Sequence, residues 1–239
     1  LIEYQHIFYR HLLPKQHQLP ELKQSFELIW PSIFLIFCFL LLVFLKVTSF
    51  SKVIKVIQSC FSLQSLRQLE REKFNPFKFY SVLLSVFFLL NFTFFVYKIN
   101  YWYKLVLVEY PPFAQFMFFL LIIVFLFVFR NGFSKLLSIF INDHKVIPEF
   151  IYSSFIVSQT LGLLIFPCMV LVELSTFNPL IFLSAASVIL IAMQGFKWYK
   201  GLTYALVDNR VGLLQIFTYF CSLEILPVLV LVKFIIETF

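Results

Sequence analysis

Glycine and charge are both scarce in this sequence. Of 239 residues only 5 are Gly, and 13% are charged, against about 25% in soluble domains. So little polar surface cannot coat a water-exposed sphere, which excludes a soluble globular domain. The 61% hydrophobic content excludes disorder as well. Few glycines leave no phosphate-cradling loop, and no Walker A, GxGxxG or GxSxG pattern occurs. The cysteines, Cys38, Cys60, Cys168 and Cys221, form no CxxC pair. That excludes a disulfide framework and zinc or redox spacing, and all four read as free thiols packed like small apolar residues. No His lies within an apolar run, so bis-histidine haem in a bilayer is excluded. His6, His11 and His17, with Glu3 and Glu21, are spaced by five and six. Two imidazoles then do not share a helix face as they do in HExxH. Asp143 and His144 read as a solvated turn. Neither cofactor nor metal is expected, and the chain is expected not to be an enzyme.

Several apolar runs of membrane-crossing length are present. They fall at 28–45, 79–97, 113–129, 150–172, 179–196 and 213–232. At 1.5 Å per residue each covers roughly 25–35 Å, matching a hydrocarbon core of about 30 Å. The runs are apolar on every face, which excludes the period-two alternation of β-barrel strands. The fold class expected is all-α, a polytopic bundle of about six transmembrane helices forming one domain over 28–239. Residues 1–27, with Pro14 and Pro20, read as an extramembrane or interfacial segment. No basic stretch followed by a cleavage site precedes the first run, which reads as a retained span.

The net charge of +7 marks topology rather than nucleic acid, since no aromatic-interleaved basic groove exists. Thirteen of the 19 Lys and Arg fall in the 1–2, 3–4 and 5–6 connections. The positive-inside rule then places those connections in the cytoplasm and both termini outside. Trp30, Trp102 and Trp198 lie at span edges, as do Tyr97, Tyr101, Tyr103 and Tyr110, where amphipathic rings prefer the headgroup layer.

In the 1–2 connection, Phe50, Ile54, Ile57 and Phe61 repeat at helical spacing, with Arg67 and Arg71 nearby. This predicts an amphipathic cytoplasmic helix over about 50–72, lying on the membrane or docking a partner. Asn75-Pro76 ends it. Ser154, Ser158 and Gly162 form a small-xxx-small stripe in span 4, and Ser184 and Ser187 lie among alanines in span 5. Such stripes let helix backbones approach closely, so spans 4 and 5 are the expected centre of packing. Ser81 and Ser85 are the small residues of span 2. The 35 Phe residues read as bundle filling and lipid-facing surface, or as a groove for a lipid or a partner helix.

One carboxylate stands apart. Glu224 lies near the middle of span 6, between Tyr219 and Pro227. An acid at that depth costs about 2.5–3.5 kcal/mol on insertion scales, so it should face protein or water. It shares a helix face with Phe217, Phe220, Pro227, Val228 and Leu231, whereas Gln215, Thr218 and Ser222 lie opposite. Pro227 frees the carbonyl of Leu223. Tyr219, Glu224 and Pro227 therefore mark either a proton or cation site or a structural hydrogen bond. Glu173 is the other acid near the bilayer, at the outer end of span 4. A secondary transporter would show more such groups and paired broken helices.

The ending YFCSLEILPVLVLVK, residues 219–233, resembles the closing signature of a family of polytopic inner-membrane proteins of unknown function from Bacteroidota. Trp198-Tyr199-Lys200-Gly201 and Asn75-Pro76-Phe77 fit the same resemblance. It implies a bacterial inner membrane, supplies no activity, and points to Glu224 and Pro227. The expected function is that of a non-enzymatic accessory or scaffolding subunit of a larger envelope assembly, such as export or secretion machinery. Its expected partners are other integral membrane proteins and lipid, with no nucleic acid. The alternative is a proton- or ion-coupled carrier or channel component using Glu224.

Overall fold

The structure, a computed structural model, describes residues 21–61, 79–106, 109–140, 146–175 and 177–208. Side chains are described over 29–48, 50–60, 79–106, 109–132, 152–175 and 177–200. Every element there is a helix: α1 Glu21–Phe61, α2 Phe79–Tyr103, α3 Pro112–Phe140, α4 Val146–Leu174 and α5 Pro179–Asp208. Each contains a stretch long and apolar enough to cross a membrane, Ile29–Thr48, Phe79–Tyr103, Pro112–Gly132, Tyr152–Leu174 and Pro179–Lys200. The protein is therefore an all-α, polytopic membrane bundle. The sixth apolar run, 213–232, lies outside the described residues, as do His6, His11, His17, Asp143 and His144.

Local chemistry sets the helix ends. Asn178 caps α5: its Oδ1 accepts the N–H of Leu180 at 3.1 Å, with Pro179 at the first helical position. Pro112 opens α3, and the Pro111 carbonyl accepts the N–H groups of Ala114 and Gln115. At the end of α2 Lys104 turns left-handed, φ 48°, and its N–H reaches the Asn100 carbonyl at 2.8 Å. That conformation closes a helix C-terminus.

α1 differs from the expectation. It runs through 41 residues without interruption, about 60 Å of helix. The separate amphipathic helix expected over 50–72 is, as far as Phe61, the continuation of span 1. Lys46-Val47-Thr48-Ser49 contains neither Gly nor Pro, so nothing ends the helix there. Val56, Ser59 and Cys60 supply its buried face, while Phe50 and Ile54 are exposed and Ile57 is half-buried. The packed face is thus rotated about a third of a turn from the one the periodicity singles out. Arg67 and Arg71 lie outside the described residues, and so does the side chain of Phe61.

α2 and α4 are the most enclosed helices. α4 packs along both α2 and α5, and α1 lies against α4 and α2. α3 packs chiefly on α2 and turns Leu121, Phe125, Val128 and Phe129 outward. Trp30, at the edge of the first span, is enclosed by the bundle. It is 4% exposed, with ring centroids 5.2 Å from Tyr97, 5.8 Å from Phe113 and 5.4 Å from Phe116. The indole joins α1, α2 and α3 through its large apolar area.

Candidate functional site

α2 and α4 run parallel, and the seam between them carries buried polar groups. Phe88 of α2 meets Gly162 of α4 so closely that a Cβ on Gly162 would lie 2.7 Å from the Phe88 Cα. Only glycine permits that approach. The Ser154–Ser158–Gly162 stripe lies on the enclosed side of α4, with both serines buried, and its glycine is pressed against span 2 rather than span 5. Ser158 Oγ donates back to the Ser154 carbonyl at 3.0 Å, so its hydroxyl is satisfied within its own helix.

One turn before Gly162, Gln159 reaches across the seam. It is 1% exposed. Its Nε2 lies 2.9 Å from the Ser81 carbonyl and 3.0 Å from both Ser81 Oγ and Ser85 Oγ. An amide nitrogen has two hydrogens, so two of these three acceptors are served at once. Ser85 Oγ donates to the Ser81 carbonyl at 2.9 Å. Among the described residues, Gln159 Oε1 is buried without a partner, and so is Asn91 Oδ1 further along α2. The Asn91 amide donates to its own Phe87 carbonyl at 2.8 Å. Neither Gln159 nor Asn91 is singled out by the sequence pattern above. A lone amide in an apolar run is the signal that finds them, because such a group needs a partner in lipid.

Charge closes each end of the bundle. At one end Lys98 Nζ lies 2.5 Å from Glu173 Oε2, linking α2 to α4. The rings of Phe94, Tyr97 and Tyr101 stand 5.3–5.8 Å from the ammonium, a cation–π environment. Beside it, Asn100 donates to the Val106 carbonyl and to Gln115 Oε1 and accepts the Val106 N–H. That network fixes the α2–α3 connection. At the other end Lys200 of α5, 4% exposed, donates to the carbonyls of Ser59 and Cys60. Those carbonyls belong to the last turn of α1, where a cation complements orphan acceptors and the helix dipole. The Phe196 ring is 5.0 Å from the same ammonium. Burial pushes the Cys60 thiol up, opposed in part by the Lys200 charge and a hydrogen bond with Thr160. Cys60 thus sits where α1, α4 and α5 meet.

The other residues that the sequence pattern marks are dispersed. Ser187 is half-buried and donates to the Leu183 carbonyl. Ser184 is exposed and donates to the Ile181 carbonyl. On α5 it is Leu183, Ala186 and Met193 that are buried instead. Tyr219, Glu224 and Pro227 lie outside the described residues.

Apolar helices of spanning length around a polar seam define a multi-pass helical membrane protein. The chain belongs to the family described as a domain of unknown function, DUF4271, whose model matches residues 32–235. No curated protein and no solved structure matches it.

Proposed function

We propose that this protein is a non-enzymatic accessory or scaffolding subunit of a larger assembly in a bacterial inner membrane, in the export or secretion class. The distribution of Lys and Arg supports an orientation with both termini periplasmic. The Lys98–Glu173 end then faces the periplasm and the Lys200–Cys60 end the cytoplasm. The observation that carries the reading is the division of the surface. The bundle turns polar groups inward and ties them to one another. Among the described residues, it leaves α1 and α3 with broad apolar outer faces, including Ile36, Leu40, Leu121 and Phe125. Such faces suit lipid and partner helices.

The test is purification of the chromosomally tagged protein in mild detergent, with mass spectrometry of the material that co-migrates. A membrane protein recovered in fixed stoichiometry supports the reading. A chain that runs alone, and whose deletion leaves every membrane complex intact, contradicts it.

A second reading, a proton- or ion-coupled component using Glu224, is favoured by the buried amide oxygens of Gln159 and Asn91, which have no partner among the described residues. Acceptors without donors inside a bundle suit a water or a cation. Liposome flux that Glu224→Gln abolishes, with abundance unchanged, supports this reading, and flux unaffected by Glu224→Gln removes it.

A further inference from the structure

α5 carries a second seam that the described helices leave open. Ile181, Ser184, Ala185, Val188, Ala192 and Gly195 recur at three- and four-residue intervals on one face, and all are exposed. The opposite face, with Leu183, Ala186, Met193 and Lys200, is buried. The two glycines make the contrast plain. A Cβ on Gly162 would strike the Phe88 backbone, whereas one on Gly195 meets nothing within 4 Å among the described residues.

We propose that the apolar run 213–232 of this same chain occupies the open face of α5, returning antiparallel to it. Three observations carry this. First, α5 ends at Asp208, so only residues 209–212 separate it from the run. Fully extended, that connection reaches about 18 Å, while packed helices lie about 8–10 Å apart. A helix joined by so short a link lies beside the one it follows. Second, the buried side of α5 is already taken by α4 and by the end of α1, which leaves the open side. Third, the matched domain continues through 213–232 to residue 235, so the run belongs to the same unit. A span bearing Glu224 also needs protein against it rather than lipid alone, and small residues permit close approach.

Aligning the run with the membrane-crossing stretch of α5, Pro179–Lys200, brings residues 220–223 level with Ala192. The experiment replaces Cys38, Cys60, Cys168 and Cys221 with serine or alanine in the full-length protein in membranes. Ala192→Cys is then paired in turn with Phe220→Cys, the restored Cys221, Ser222→Cys and Leu223→Cys, four positions that cover the helix circumference. Oxidation is expected to give a disulfide at monomer mass for one or two pairs. Disulfides formed only between copies would assign the seam to a second chain and overturn the proposal. No disulfide at any position would leave the face to lipid and overturn it too. Gly195→Leu provides an independent reading against Gly132→Leu, another glycine whose Cβ meets nothing within 4 Å. Gly195→Leu is expected to lower the detergent Tm by several degrees relative to Gly132→Leu. An equal response of the two overturns the proposal.

Discussion

Lys98 Nζ and Glu173 Oε2 stand 2.5 Å apart, an ion pair between the ends of α2 and α4. The two side chains are only 10% and 15% exposed, so removing one partner strands the other in a poorly solvated place. Lys98→Met or Glu173→Gln is expected to destabilise the bundle by about 3 kcal/mol. The double variant Lys98→Met, Glu173→Leu should recover most of that loss. Thermal unfolding in detergent, followed by fluorescence or light scattering, checks the cycle. Two single effects that simply add in the double variant would show the pair to be uncoupled.

The close approach at Gly162 has a sharper consequence. Phe88 presents its backbone there, not the end of a flexible side chain, so a new methyl cannot be relieved by a rotamer change. Gly162→Ala is expected to destabilise by about 2 kcal/mol, within the usual range for overpacking, and Gly162→Leu to prevent accumulation in membranes. Wild-type abundance of Gly162→Leu would contradict the placement of α2 against α4.

The Gln159 cluster makes a prediction about relative size. Gln159→Leu removes a useful nitrogen but also a buried oxygen with no partner among the described residues, so its net effect should stay within about 1 kcal/mol. Replacing Ser81 and Ser85 together by alanine keeps Gln159 while removing two of its acceptors. That variant should be the less stable, by about 1–2 kcal/mol. Comparing the two melting temperatures decides the order.

The Cys60 thiol is fully buried, and its pKa lies above the ordinary thiol value. The folded state therefore holds this proton more tightly than the unfolded chain does. The associated stability is present below the ordinary thiol pKa and is lost as pH rises through the raised, folded value. Maleimide labelling of Cys60 in membranes should stay slow at neutral pH and accelerate only at higher pH than labelling of the denatured chain. Lys200→Met removes the donor to the last turn of α1 and should speed labelling at neutral pH by fraying that turn. Coincident pH profiles for folded and denatured protein would refute the burial.

The spans are legible in the sequence because a bilayer imposes length and apolarity on each helix separately. Relations between helices are less so. Lys98 and Glu173 are both visible at span ends, yet nothing along the chain pairs residues so far apart. Gly162 shows that a backbone approaches, but not that Phe88 supplies it. Beyond Leu45, the period of the large apolar residues points to a face of α1 that the structure leaves open. Val56, Ser59 and Cys60 are buried instead, because small residues let the helices pack closely there. Gln159 is hard to see because a neutral amide does not interrupt an apolar run the way a charge does.

Membership of a larger membrane assembly is tested most directly by native electrophoresis. Membranes from cells carrying a tagged chromosomal copy are gently solubilised, and the proteins in the tagged band are identified. The expected result is a band well above the 28.4 kDa of the chain, containing a second membrane protein at fixed stoichiometry, and loss of that band on deletion. A tagged species running as the chain alone, across several mild detergents, would contradict the proposed role.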